Sequence, residues 1–362
     1  MTESQPKYLR IYEELLRQIR KQSVLPGDLL PTEDELCKQY GVSRPTVARA
    51  LKRLSDEKRV QRKAGFGTLV LGPDSSVLSV GLLIPQIMET EIFQPIVNSI
   101  AESAENDEMR VVNPAMFNLS GDLKKATKAI ANQLLEANVR GVFFAPTEHV
   151  EDPHLFNRKI AERFTEAGIH VVLLDRDIQH WPDQSPYDMV GIDNARAGCL
   201  VAAHLLDGGC KKLAFVTREN PADTVQLRQM GCREALIQRG FGASSLQIVY
   251  DLPDQAGKTA ETLLGSGVDG VICSNDATAS VLLRSLVDAG VEIPKQIKVC
   301  GFDDVKYASL LSVPLTSYQQ PCHDIGKVAA ELMAHRIQHP DSPVRRLALQ
   351  GKLIVRESSM RD

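Results

Sequence analysis

LPTEDELCKQYGVSRPTVARALKRL, residues 30–54, reads as two helices with a four-residue joint, the second loaded with Arg and Lys. Thr32 followed by Glu35 is a capping box, in which each side chain satisfies a free backbone N–H of the first turn. Gly41 suits the left-handed conformation that ends a helix. Ser43 is placed to cap the next helix, and Pro45 fits its first turn, where a missing N–H is tolerated. Val47, Ala50, Leu51 and Leu54 make an inward face. Arg44, Thr46, Arg49, Lys52 and Arg53 are left outside or at the helix start.

Upstream, PKYLRIYEELLRQIRKQ (residues 6–22) puts Leu9, Tyr12, Leu15, Leu16 and Ile19 on one helical face, and Pro26-Gly27 then breaks the chain. Downstream, VQRKAGFGTLV (residues 60–70) alternates and folds back at Gly65 and Gly67, as a small hairpin does. Helix, helix, tight turn, cationic helix and basic hairpin is the layout of an α+β winged helix-turn-helix. In that layout the second helix of the motif enters the major groove of double-stranded DNA. AGFGT lacks the spacing and the following helix of a phosphate loop.

The charge is divided accordingly. Residues 1–70 hold 14 Lys/Arg against 9 Asp/Glu, a balance of +5. From the whole-chain totals of 42 and 46, the remainder holds 28 against 37, a balance of −9. A basic head seeking a polyanion and an acidic body with another task fit that asymmetry. The 362 residues, 43% hydrophobic, suffice for two or three cores. Seven scattered cysteines with no CxxC pair indicate neither a disulfide framework nor a zinc site. MTESQPKYLR lacks the apolar core of a signal peptide, and no apolar run approaches the roughly 20 residues that span a bilayer, so a cytoplasmic location is expected.

The head resembles the GntR family of bacterial regulators, whose signature combines an LPTE…GVSR.TV…AL..L run with a G.GT.V wing. The resemblance covers nearly all of residues 5–70. It implies DNA contacts from Arg44, Thr46 and Arg49, helped by Glu33 and the wing residues Arg62, Lys63 and Gly65. Ser43, Lys52 and Gly67 complete the expected surface. Pro45 fills a slot where many relatives carry a hydrogen-bonding side chain.

After a polar linker at residues 71–78, apolar strands alternate with amphipathic helices. Eight strands are predicted: VGLLIP, MRVVNPA, VRGVFFAP, HVVLLD, KLAFVT, LQIVYD, GVICS and IKVCGFD. Helical segments such as PIVNSIAESAEN, KKATKAIANQLLEA and TASVLLRSLVDAG lie between them. Strict alternation means parallel sheets covered by helices, and eight strands point to an α/β body of two lobes with a cleft. Ligands of such sheets bind beyond the carboxyl ends of the strands. Asp175-Arg176, Asn275-Asp276 and Asp303-Asp304 stand there. Amides and carboxylates with an Arg suit a polyhydroxylated ligand, whose hydroxyls need donors and acceptors. Asp276 reads equally as the N-cap of the helix that follows, and Asp304 as the cap of the turn DVKYAS. Paired acids also serve glycosidases and metal sites, but these sit beside neutral or cationic companions.

The body resembles the LacI/GalR effector domain, related to periplasmic sugar-binding proteins, over residues 79–359. HVVLLDRD, VGIDNARAGCLVAAHLLDGGCKKLAFV, VDGVICSNDATAS and VCGFDDVKYASLLSVPLTSYQQP carry the likeness. It implies a two-lobed periplasmic-binding-protein-like fold and a sugar pocket. The pocket residues would be Phe93 with Glu91 or Glu89, then Asp175, Arg176, Arg228, Asn275, Asp303 and Gln320. QIMETEIF stands where relatives carry a shorter loop, and IQHWPDQSP, with the single Trp181, is expected at the cleft rim. A GntR-type head on a LacI-type body is similar to the arabinose-responsive repressors. The expected protein is thus a multidomain regulator and not an enzyme. Residues 1–70 would bind operator DNA and residues 79–362 would bind a sugar and form a homodimer. The best sugar is a pentose such as L-arabinose, with a nucleoside or phosphosugar and an activator or co-repressor role as alternatives. No cofactor, metal or membrane partner is expected.

Overall fold

A computed structural model describes residues 6–20, 24, 27–56, 59–63, 67–70, 78–85, 91–106, 109–114, 122–250 and 256–360. The linker residues 71–77, Glu89 and the wing glycine Gly65 lie outside the described residues. The chain divides into two compact units, Met1–Leu78 and Ser79–Asp362. No helix among the described residues is long and apolar enough to cross a membrane.

The first unit holds α1 (Lys7–Arg20), α2 (Glu33–Tyr40), α3 (Arg44–Asp56) and the strands β1 (Val60–Lys63) and β2 (Gly67–Val70). β1 and β2 pair antiparallel, with Val60 opposite Val70 and Lys63 opposite Gly67. The capping box forms: the Thr32 N–H donates to Glu35 Oε2 (2.7 Å) and the Glu35 N–H to Thr32 Oγ1 (3.3 Å). Gly41 adopts φ +61° and closes α2 by donating its N–H to the Cys37 carbonyl. A side chain there would have to adopt the left-handed region, which costs L residues energy. Ile11, Tyr12, Leu15, Leu16, Leu36, Val47, Ala50, Leu51 and Leu54 fill one core with Val60 and Val70. Leu9 and Ile19 are only half-buried, and Ile11 takes the inward place between them.

The second unit contains two lobes. One runs through β3 (Leu78–Leu83), α4 (Phe93–Asn106), β4 (Met109–Val112), α5 (Leu123–Glu136), β5 (Gly141–Phe144), α6 (Pro153–Glu166), β6 (His170–Leu174) and β7 (Asp188–Ile192). The other takes α7 (Asn194–Asp207), β8 (Leu213–Thr217), α8 (Asp223–Gln238), β9 (Leu246–Tyr250), α9 (Ala256–Ser266), β10 (Gly270–Cys273), α10 (Asp276–Asp288), β11 (Lys298–Asp303) and β12 (Thr316–Gln319). The chain then returns through α11 (Cys322–Gln338) and β13 (Arg346–Leu349) to the first lobe, and through β14 (Lys352–Ile354) to the second. The sheets are ordered β13-β7-β6-β5-β3-β4 and β14-β12-β11-β10-β8-β9. Apart from the antiparallel edge β12–β14, the registered pairs in both sheets are parallel.

All eight predicted strands occur. β7, β12, β13 and β14 were not predicted, because three- to five-residue segments such as TSYQ and KLI carry too little apolar signal to be read locally. They matter for the cleft, since the chain crosses between lobes after β7, after β12 and between β13 and β14.

Helices α7 and α8 pack unusually closely, because each contributes a glycine to the crossing. A Cβ on Gly231 would collide with the Ala195 carbonyl oxygen, and one on Gly198 with the backbone of Arg228. Neither obstacle can rotate away. Gly231→Ala is therefore expected to destabilise the body by about 1–3 kcal/mol, the usual cost of overpacking. A lowered denaturant midpoint with an unchanged slope would show it.

Candidate functional site

On the head, the residues expected to meet DNA gather around one carboxylate. Glu33, in the first turn of α2, accepts from Arg44 Nε of α3 (3.2 Å) and is also ion-paired with Arg62 of β1. One acid thus orients an arginine at the start of the cationic helix and another on the hairpin. Asp34 stands 3.9 Å from the Arg44 guanidinium. The Ser43 hydroxyl is bonded to the Thr46 hydroxyl (2.9 Å), and the Ser43 carbonyl accepts the Thr46 N–H (3.0 Å). Arg49 lies over the Tyr8 ring (4.1 Å to its centre), a cation–π contact that ties α3 to α1. Lys52 is exposed on the same helix, and Gly67 opens β2 at φ +110°. The side chain of Lys63 lies outside what is described.

In the body, the polar strand ends converge on a cavity of about 80 Å³. Asp175, Arg176, Arg228, Asn275, Asp303 and Gln320 all line it. Asp175 (φ +69°) follows β6 and Asp303 (φ +106°) ends β11, both held in left-handed backbone that non-glycine residues rarely adopt. Strain of this kind gathers at functional sites, where the surrounding structure imposes it. Each lobe contributes one such aspartate.

Arg176 is buried and carries two acids: Nε and Nη2 meet Asp175 Oδ2 (3.0 and 2.9 Å), and Nη1 meets Glu148 Oε1 (2.6 Å). Burial alone would raise the Glu148 carboxyl, but Arg176, then His149, outweigh it and hold it below the ordinary value. Burial likewise works against the charge on Arg176, yet the two carboxylates raise its pKa. Across the cleft, Arg228 donates Nε to Asn194 (2.8 Å) and Nη1 to the Ser274 carbonyl (2.7 Å), with its guanidinium 4.4 Å over Phe302. Its Nη2 has no partner among the described residues. Gln320 Nε2 donates to Asp303 Oδ1 (2.8 Å), and burial raises the Asp303 carboxyl despite Arg228. Two buried acceptors of the cavity residues, Asp175 Oδ1 and Gln320 Oε1, receive no hydrogen bond from the described residues. An orphan acceptor is costly to bury, so a ligand that supplies O–H or N–H donors stabilises this site.

Several expectations need correction. Phe93 does not line the cavity: it is 2% exposed at the start of α4, with Arg176 5.8 Å over its ring, and Ile92 takes its place on the wall. Glu91 lines a neighbouring groove with Gln94 and Pro95. Trp181 is 60% exposed and lines none of these cavities. Asn275, and not Asp276, caps α10, accepting the Thr278 N–H (2.8 Å). Asp276 is buried, accepting from Ser317 Oγ (2.7 Å) and the Val305 N–H (3.0 Å). Burial, then Asp303 nearby, raises its carboxyl well above the ordinary range. Asp304 caps nothing. It pairs with Arg356 (2.6 Å) and accepts from Gln319 (2.7 Å).

Glu148, Thr217, Thr224 and Ser274 also line the cavity and were not predicted. Glu148 had a signal: it follows the buried strand GVFF as a strand-end acid, as Asp175 follows HVVLL.

Comparisons with known proteins agree with this division. Residues 7–70 match the family of bacterial regulatory proteins of the gntR type, and residues 202–359 match the periplasmic binding protein-like domain. An arabinose metabolism transcriptional repressor of Halalkalibacterium halodurans is 25% identical over 98% of this chain and 96% of its own length. The ribose operon repressor of Escherichia coli is 24% identical over 91% of this chain and 100% of its own. A LacI-family regulator of Enterococcus faecium, solved with bound ribose, superposes with a TM-score of 0.64 at 24% identity, covering 78% of this chain and 98% of its own. The relatives are named as repressors, a class that works by binding and not by turnover. The chain therefore joins a gntR-family regulatory head to a periplasmic binding protein-like body.

Proposed function

We propose that this protein is a cytoplasmic, homodimeric repressor that binds operator DNA through its head and is released by a small neutral sugar in the interlobe cavity. The observation that carries the sugar reading is the pair of orphan acceptors, Asp175 Oδ1 and Gln320 Oε1, facing a cavity that also holds Arg228 and Asn275. Hydroxyl groups answer both needs, because each donates to one wall and accepts from the other. A cavity of about 80 Å³ is well below the roughly 300–1,000 Å³ of drug-sized sites, which favours a single small ring. Charge disfavours a phosphosugar. Arg176 is already committed to Glu148 and Asp175, and the carboxylates of Asp175 and Asp303 line the same cavity, where they repel a phosphate.

A pentose is the leading ligand, L-arabinose first, by analogy with relatives named for arabinose and ribose. Two heads of a dimer must read half-sites roughly 34–36 Å apart. Sugar closing the lobes would alter that spacing, and linkage limits the effect to the reciprocal coupling, typically about 1–3 kcal/mol. Operator binding measured by fluorescence anisotropy, with arabinose, ribose, a nucleoside and a phosphosugar in turn, tests the reading. One neutral sugar should weaken binding about 5- to 150-fold. If none of them shifts the isotherm, the reading is wrong.

Within the head, Arg44 is the proposed base reader and Lys63 a phosphate contact. Arg44→Ala should lower affinity for the cognate sequence roughly 10- to 100-fold while leaving non-specific DNA nearly unchanged. Lys63→Ala should weaken all DNA about equally and reduce the salt slope by about one. Identical, sequence-blind losses in both variants would overturn the assignment.

A further inference from the structure

His154, His180 and Asp223 come together at a place that the sugar reading does not use. His154 stands in the first turn of α6, His180 in the loop after β6, and Asp223 at the start of α8. The histidines thus belong to one lobe and the aspartate to the other. His154 Nε2 lies 3.2 Å and His180 Nδ1 3.5 Å from Asp223 Oδ1, and the three ligand atoms are all within 4.8 Å of one another. Among the described residues this is the one such cluster of three.

Two details of the cluster suit a metal ion. Asp223 Oδ1 is buried and receives no well-aligned hydrogen bond from the described residues, although two imidazole nitrogens stand beside it. His154 Nδ1 lies 3.2 Å from the Ile178 carbonyl, which only accepts, so in the neutral ring Nδ1 carries the proton and Nε2 is left to present its lone pair. A ligating histidine is held in this way, its other nitrogen donating to a carbonyl. Two of the spacings, 3.2 and 3.5 Å to Asp223 Oδ1, also fit, and the two imidazole rings, whose centres are 3.4 Å apart, must splay to hold one ion together. Zinc bonds of about 2.0–2.2 Å in a tetrahedron place ligand atoms roughly 3.3–3.5 Å apart. Asp223 Oδ2 is already fixed by the Trp181 N–H (2.8 Å), leaving Oδ1 for the metal.

We propose that His154, His180 and Asp223 bind one divalent transition-metal ion, zinc in the first instance, and that the ion ties the two lobes together beside the sugar cavity. Nitrogen donors with a single carboxylate select zinc-class metals over magnesium or calcium, which take oxygen ligands. The fourth position is left to water or an exogenous ligand, as in other three-ligand zinc sites. Arg176 and Glu148 line both this region and the sugar cavity, so they form the wall between the two. The site was invisible in the sequence because its ligands are 26 and 43 positions apart and match no spacing motif.

The test uses the untagged full-length protein, stripped with chelator and titrated with Zn²⁺ alone by calorimetry and with Co²⁺ by visible absorption. One ion per chain and a tetrahedral Co²⁺ spectrum are expected, with thermal stabilisation by zinc. His180→Ala changes an exposed side chain and should leave the fold intact while weakening binding at least about 10-fold. Asp223→Asn should do the same. A double His335→Ala, His339→Ala variant removes the stacked histidine pair on α11 and should change nothing. Zinc binding that survives both His180→Ala and Asp223→Asn, or no binding by the native protein, would overturn the proposal. None of these readouts depends on a sugar, so the two readings fail separately.

Discussion

Arg176→Met is expected to cost about 3–5 kcal/mol of stability at neutral pH, the usual consequence of removing one partner from a buried ion pair. The side chain lies between Glu148 and Asp175, all three almost fully enclosed. Methionine fills much of the same volume but leaves two carboxylates without their cation. The pH dependence distinguishes this cause from simple mispacking. In the native protein the Glu148 carboxyl is held below its ordinary value, so it contributes stability above the unfolded pKa of about 4.3 that is lost as pH falls through the folded value. In the variant, burial is opposed only by His149 and Arg228, and the value should rise. Stability is then present at low pH and lost as pH rises through it. The deficit relative to the native protein should shrink between about pH 7 and pH 5. Denaturant unfolding at both values measures it, and an equal deficit at each would show that packing, not charge, is responsible.

Asp175→Asn should uncouple sugar from DNA. Oδ1 of Asp175 is a buried acceptor with no hydrogen bond among the described residues, while Oδ2 is held by Arg176. Replacing a charged acceptor by an amide in that position removes a charge-assisted hydrogen bond, worth about 1.5–3 kcal/mol. Sugar affinity should fall roughly 10- to 100-fold, and operator binding without sugar should be unchanged. The variant would then repress at sugar concentrations that release the native protein. Arg176 keeps Glu148 as a partner, so stability should fall far less than in Arg176→Met. Calorimetry with the sugar and anisotropy with the operator separate the two effects. Unaltered sugar affinity would remove Asp175 from the site.

The head was legible almost residue by residue because its signals are local. Thr32 and Glu35, three positions apart, cap a helix, Gly41 marks its end, and the apolar spacing of Val47, Ala50, Leu51 and Leu54 names the buried face. The body's alternation of strand and helix was equally plain, and six of the eight expected ligand residues line one cavity. Phe93 and Glu91 missed because side-chain direction at a loop–helix junction depends on packing: Phe93 turned into the core and Ile92 took the wall. Asn275 took the capping role expected of Asp276 while keeping its place on the cavity wall, because one residue of helix register decides which side chain meets the Thr278 N–H.

Sequence by itself determined the division into a cationic head and an acidic body, the type of each fold, and the strand ends at which polar residues gather. Those follow from backbone caps, periodicity and charge, which act over a few residues. Tertiary structure alone decided the three crossings between lobes and the Glu148–Arg176–Asp175 chain of charges. It alone also decided the orphaned oxygens of Asp175 and Gln320 and the meeting of His154 and His180 with Asp223. Each of these depends on where strands from distant parts of the chain come to rest, and on which buried groups find a partner there. That is settled by the packing of whole sheets and helices and not by neighbours in the chain.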